Sequence, residues 1–277
     1  MTTILITGAT DGIGRLAALR LAEAGHDLLL HGRDDVKLGE VESETLAAGA
    51  GGVSVHRADL SSLAQVDELA TEVIARLDSR PLDVLINNAG VFTAKDPMTD
   101  AGLDVRFVVN TLAPYRLTRL LQRVLRAGSR VVNVASAAQS TVDLAALRGE
   151  RRLGDDMTAY AQSKLALTMW TTHRARQADA PVMIALNPSS LMATKMVADA
   201  FGIDDRQGND PARGAGILVS AATGEEFADA SGAWFDGDTG PEGEFASAHA
   251  DARDEHKAAA LVDTLDDLLR EHGFDQP

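Results

Sequence analysis

Cysteine is absent from the sequence. Disulfide bonds, thiol nucleophiles and thiolate metal sites are therefore excluded from its chemistry. Aromatic residues are scarce, at 4% of the 277 positions. The core must come from Ala, Leu, Val and Ile, which suits buried parallel strands and their covering helices. Positive charge is in deficit, with 26 Lys and Arg against 41 Asp and Glu and a formal charge of −15. Such a surface repels nucleic acid and anionic membranes, so neither is expected as a partner. It also gives no long-range attraction to a phosphate-bearing ligand, which must be held by local devices. No apolar run approaches the ~20 residues needed to span a bilayer. The seven His show none of the short spacings that build a metal site, and none is expected. Met1-Thr2-Thr3 leads straight into an apolar run without a basic flank or small-residue cleavage site. A cytoplasmic location is the corresponding expectation.

What remains is a globular composition, 45% hydrophobic and 24% charged. Short apolar runs that read as strands (Ile4–Ile6, Leu28–Leu30, Val53–Val55, Val84–Ile86, Val131–Val134, Val182–Leu186) alternate with amphipathic stretches. Helices are predicted at Ile13–Ala24, onward to Leu46, Ser62–Leu77, Leu112–Leu125 and Tyr160–Ala175. Strand alternating with helix predicts an α/β protein: a single-domain Rossmann fold, its doubly wound parallel sheet covered by helices on both faces. Residues 1–135 would form mainly the dinucleotide-binding half and 136–277 the catalytic and substrate-binding half. Ligands bind such sheets at the carboxyl ends of the strands. Every motif below falls there.

Thr7-Gly8-Ala9-Thr10-Asp11-Gly12-Ile13-Gly14 follows the first strand and opens the first helix. Gly8 permits the turn, Gly12 admits a pyrophosphate, and Gly14 allows close helix–strand packing. The helix N-terminus offers N–H groups and partial positive charge to phosphates. A ligand-free tight turn is the alternative, disfavoured by the βαβ setting. After the second strand, His31-Gly32-Arg33-Asp34 lacks the strand-terminal acid that would hold ribose hydroxyls, while Arg33 could hold a 2′-phosphate. This favours NADP(H) over NAD(H); the nearby carboxylates of Asp11 and Asp34 argue the other way. Asp59, with Leu60, closes the third strand as either an adenine contact or a helix cap. Asn87-Asn88-Ala89-Gly90 ends the fourth, where Asn87, Ala89 and Gly90 could lie against the cofactor.

Tyr160 and Lys164 stand one helical turn apart on a common face. A free phenol titrates near ~10 and needs a neighbouring cation to act as a base. Ser136, at the end of the fifth strand, could stabilise charge on a substrate oxygen. Asn110 is a polar misfit in an apolar helical stretch.

These motifs, in this order, resemble the short-chain dehydrogenase/reductase family over about two-thirds of the chain. The resemblance implies an NAD(P)-dependent oxidoreductase acting on a small-molecule carbonyl/alcohol pair. Tyr160 would be the acid/base, Lys164 would lower its pKa and bind ribose, Ser136 would orient substrate, and Asn110 would hold a relay water. Within the family, Leu28 to Asp34, Tyr160 to Ala166 and Ser231-Gly232-Ala233-Trp234-Phe235 resemble the retinol dehydrogenase and protochlorophyllide reductase-like branch, where the counterpart of Arg33 usually selects NADP. Three features depart from the family pattern. An extra loop spans Asp143 to Asp156, Asn187-Pro188-Ser189 stands where Pro-Gly is usual, and Asp11 is acidic in the cradle. Pro188 and Thr194 are the further cofactor contacts implied. The segment at about 191–210, with Met192, Met196, Val197, Ala200, Phe201 and Ile203, is read as a lid over an apolar pocket in preference to core. The stretches Leu112–Leu125 and Tyr160–Ala175 are candidate dimer faces, and the resemblance implies a homodimer or homotetramer. A non-catalytic dinucleotide-sensing protein is the alternative; it would need the cradle but not the four catalytic groups.

Overall fold

A computed structural model of the chain describes residues 1–202 and 208–274. Its strands are β1 (Thr3–Ile6), β2 (Asp27–Gly32), β3 (Gly52–Arg57), β4 (Leu82–Asn87), β5 (Leu125–Val134), β6 (Val182–Asn187), β7 (Trp234–Asp236) and β8 (Glu244–Ala246). They form one sheet in the order β3-β2-β1-β4-β5-β6-β7-β8. The order reverses between β1 and β4, the crevice where doubly wound sheets bind ligands. All six predicted strands are present. β7 and β8 are additional, and β8 pairs antiparallel with β7, so the sheet is parallel except at that edge. At three residues each they are too short for alternation to reveal.

Helices cover both faces. α1 (Gly12–Glu23), α2 (Asp35–Ala48) and α3 (Leu63–Leu77) each follow the strand before them. α4 (Val105–Phe107) runs through a wider π-helical turn at Val108–Leu112 into α5 (Ala113–Leu121). The helix predicted to Leu125 stops at Leu121 because β5 already starts at Leu125, with a bulge in its pairing to β4. α6 (Leu144–Leu147) lies in the extra loop, α7 (Asp156–Arg174) carries Tyr160, and α8 (Lys195–Phe201) lies in the expected lid. α9 (Pro211–Thr223), α10 (Ala250–Arg253) and α11 (Glu255–Glu271) complete the chain. Ile203 of the expected lid lies outside the described residues.

The core has two layers. β1, an interior strand, places Ile4 and Ile6 in the layer with α1 and α9, and Leu5 in the layer with α3, α5, α7 and α11. This is the period-two alternation of a strand buried on both faces. α11 seats Leu261, Leu265 and Leu268 in that second layer, and each such buried Leu contributes roughly 1.5–3 kcal/mol. Tyr115 donates to Asp266 at 2.8 Å across α5 and α11. The stretches expected as dimer faces are thus largely covered by the chain's own helices: Thr172 of α7, for example, donates to the Ala252 carbonyl of α10.

Candidate active site

The glycine turn is built as its sequence implies. A Cβ on Gly14 would fall on the Gly8 carbonyl and the Asn88 side-chain amide, so only glycine allows α1 to approach β1 this closely. A Cβ on Gly12, by contrast, would meet only Thr194, at 3.6 Å. The N–H groups of Ile13 and Gly14 have no acceptor within the helix, as at any helix start. These free donors at the helix start fit the pyrophosphate of a dinucleotide.

His31 ties three strand ends together. Its Nδ1 accepts from the Gly8 N–H at 3.2 Å, and its Nε2 lies 3.0 Å from the Ala58 carbonyl. The ends of β1, β2 and β3 therefore meet on one imidazole. Both contacts are satisfied only when Nε2 carries the proton and Nδ1 does not. Burial lowers its pKa from 6.5 to about 4. The unfolded chain therefore binds the extra proton first, and stability is lost as pH falls from 6.5 towards 4. The whole effect is worth roughly 3 kcal/mol. Melting temperature is expected to fall over that window, and less steeply in His31→Gln. Parallel slopes for the two proteins would refute the role.

Asp11 is the N-cap of α1, accepting from Gly12 N at 2.8 Å. Its other oxygen pairs with Lys37 at 2.9 Å, and that hydrogen bond is the main cause of its lowered pKa. The acid that argued against a phosphate thus comes with its own cation. Lys37 gave no sequence signal, because it lies four residues beyond Arg33 on a helix whose apolar periodicity is weak. Arg33 is exposed, and no ion pair is recorded for it among the described residues. Asp59 accepts from Ser61 N at 2.9 Å and from the Ser61 hydroxyl, so it shapes the turn before α3 while Ser62 takes the cap position. Leu60 is buried beside it. The Asn87 side chain turns into the core, donating to Asn133 at 2.8 Å and to Thr118 at 3.3 Å, which leaves its backbone as the part facing the cleft edge. Asn88, not singled out beforehand, clamps the cradle by donating to the carbonyls of Thr7 and Gly8. Thr10, Ala89 and Gly90 are half-buried at the same edge.

The four expected catalytic groups converge. Asn110 sits in the π-helical turn, a distortion common at functional sites. Its Oδ1 accepts from Val91 N at 2.8 Å, and its Nδ2 donates to the Val91 carbonyl and the Ser163 hydroxyl, each at 2.9 Å. The side chain thereby ties the β4 loop to α7, both its N–H donors engaged. Lys164 Nζ donates to the Val134 carbonyl at 2.6 Å and lies 5.7 Å from the centre of the Tyr160 ring. A Cβ on Gly90 would stand 3.3 Å from Asn110 Oδ1, 3.4 Å from Lys164 Nζ and 3.7 Å from Met196 Cε, placing all three around one point. Ser136 Oγ accepts from Ala138 N at 3.1 Å and stands near enough to the Tyr160 hydroxyl to oppose the rise of its pKa.

The charge states follow from burial. Desolvation raises the Tyr160 pKa, and the nearby Ser136 side chain opposes it. Desolvation brings Lys164 down to about 7. The expected depression of the phenol is therefore absent: Lys164 is not among the groups that shift Tyr160, and the buried lysine, only about half-protonated near pH 7, directs its Nζ at a carbonyl. Phe92, which the sequence did not mark, packs on Tyr160 with ring centres 4.5 Å apart. Thr194 occupies the N-cap position of α8 without a side-chain cap bond and stands beside Gly12, its methyl 3.6 Å from where a Cβ there would lie. Pro188 is buried at the end of β6. Met192 joins the α1/α9 core layer, so part of the expected lid is core, while Met196 reaches the Gly90 point. Among the described residues no cluster of potential ligands could hold a metal, and no helix is long and apolar enough to cross a membrane.

A doubly wound sheet with a glycine cradle at its crevice and a Ser–Tyr–Lys–Asn cluster beside it defines a nicotinamide-dependent oxidoreductase acting on carbonyl or alcohol groups. A sequence profile described as short chain dehydrogenase matches residues 2–201. The chain belongs to the short-chain dehydrogenase/reductase family, in its retinol dehydrogenase-like branch. It is 32% identical over 258 residues to Retinol dehydrogenase 13 of Homo sapiens, covering 85% of this chain and 76% of that protein. Against the protein of the same name from Mus musculus it is 35% identical over 197 residues, covering 67% of this chain and 57% of the relative. The crystal structure of angucycline C-6 ketoreductase LanV with bound NADP superposes with a TM-score of 0.66 at 26% identity, covering 87% of this chain and 95% of that one.

Proposed function

We propose that the protein is an NADP(H)-dependent oxidoreductase for a carbonyl/alcohol group on a fairly apolar small molecule. The observation that carries this reading is the placement of the Tyr160 hydroxyl against Ser136, with Lys164 and Asn110 grouped around Gly90 at the same strand ends. The nicotinamide, when bound, exchanges hydride with the substrate carbon. The protein's own part is proton handling. A buried phenol with a raised pKa stays protonated near neutrality, the form that donates to a carbonyl oxygen as negative charge develops there. Ser136 offers a second hydrogen bond to that oxygen. Phe92 and Met196 make the surroundings apolar, which favours substrates with hydrocarbon near the reacting carbon. Asp59, Asn87, Ala89, Gly90, Pro188 and Thr194 would border the dinucleotide, and residues 191–210 the substrate entrance. Turnover of a ketone and aldehyde panel with NADPH tests the proposal; a protein that binds NADPH but reduces none of them would favour the sensing alternative.

Cofactor choice rests on Arg33 and the Asp11–Lys37 pair. Arg33→Ala is expected to weaken NADP by about tenfold or more and NAD little, since a charge-assisted bond to phosphate is worth ~1.5–3 kcal/mol. Asp11→Asn keeps the helix cap but frees Lys37, and should tighten NADP by a few-fold at low salt. Paired titrations with both dinucleotides check this. Equal losses for NAD and NADP in Arg33→Ala would remove Arg33 from the 2′-phosphate site.

A further inference from the structure

The loop after β6 contains a conformation its sequence does not favour. Ser189 has φ of +128° and Leu191 φ of +48°, both in the region that side-chain-bearing residues rarely adopt. Such a turn persists only where its surroundings over-determine it. Here the surroundings centre on one carboxylate beyond the end of β7. Asp238 Oδ1 accepts from the Ser189 hydroxyl at 3.0 Å and from Ser190 N at 2.8 Å. Its Oδ2 accepts from Asn187 Nδ2 at 2.9 Å and from the Ser190 hydroxyl. These hydrogen bonds outweigh desolvation and lower the Asp238 pKa, so the anion is the form that braces the loop. The turn bearing Asp238 is fixed in its turn: Arg213 donates to the carbonyls of Gly237 at 2.5 Å and Gly240 at 3.0 Å, and Gly237 N donates to the Asn187 carbonyl at 2.8 Å. Five residues after Ser189 the same loop delivers Thr194 to the face of Gly12.

We propose that Asp238 is a positioning residue: it holds the strained Ser189 turn and thereby sets Thr194 against the phosphate cradle, the task a glycine at position 189 would perform without a brace. This rests on the proposed dinucleotide site. Without Asp238 the loop relaxes and Thr194 leaves the cleft, while a glycine at 189 accepts the same φ unstrained and makes the brace dispensable.

The test is a double-mutant cycle on the full chain, read as NADPH affinity from nucleotide fluorescence. Asp238→Ala is expected to weaken NADPH about tenfold, the scale of one strained residue's release. Asp238→Asn, which keeps a single acceptor oxygen, should fall between it and the wild type, and serves if the alanine variant does not fold. Adding Ser189→Gly to either should restore affinity to within about threefold of the wild type. Unchanged affinity in the Asp238 variants, or a double variant as weak as its Asp238 parent, overturns the proposal. A wild-type protein that binds neither NADPH nor NADH would instead sink the dinucleotide site, and this inference with it.

Discussion

Tyr160→Phe is expected to lower turnover by about 10²–10⁴-fold while leaving NADPH affinity within about twofold. The substitution removes one oxygen and keeps the ring, so the packing against Phe92, 4.5 Å between centres, is retained. Lys164 keeps its bond to the Val134 carbonyl, and the phosphate cradle lies on other elements. What disappears is the hydroxyl that stands near Ser136 and that must give or take the substrate oxygen's proton. Loss in kcat without matching loss in cofactor binding marks an interaction made in the transition state. A variant retaining more than about a tenth of wild-type turnover would show that another group handles the proton.

Much of this site was legible in the sequence because its parts obey short-range rules. The glycine turn, the strand-terminal Ser136 and the Tyr160/Lys164 pair each depend on spacing within one element, and the parallel topology brings their elements to one edge. What the sequence hid depends on partners far along the chain. Lys37 meets Asp11 across 26 positions and Asp238 meets Ser189 across 49, distances at which periodicity says nothing. The Asn110 misfit was visible, but not the π-helical turn, which is held by bonds to Val91 and Ser163 instead of by local propensity. The lysine's expected effect on the phenol also needed the structure. Spacing places two side chains on one helical face, but only burial shows that desolvation governs both.

The second large effect concerns Arg106, which the sequence left unmarked. It is 2% exposed and bonds Asp104 through both branches of its guanidinium, Nε to Oδ1 at 2.8 Å and Nη2 to Oδ2 at 2.6 Å. It also contacts the carboxylate of Asp156, the first residue of α7. Desolvation opposes its charge, but the two carboxylates prevail and raise its pKa. Arg106 thus ties the short helix before the Asn110 turn to the helix that carries Tyr160. Arg106→Leu leaves Asp104 buried without its cation, a loss of about 3–5 kcal/mol and a fall in melting temperature of roughly 10 °C. Adding Asp104→Asn removes the stranded charge while retaining a side chain able to cap the helix at Arg106 N, and should recover a substantial part of the loss. Thermal melts of the single and double variants at neutral pH decide the matter. A double variant no more stable than Arg106→Leu would mean that the guanidinium acts through packing, and that the ion pair is not what joins the two catalytic helices.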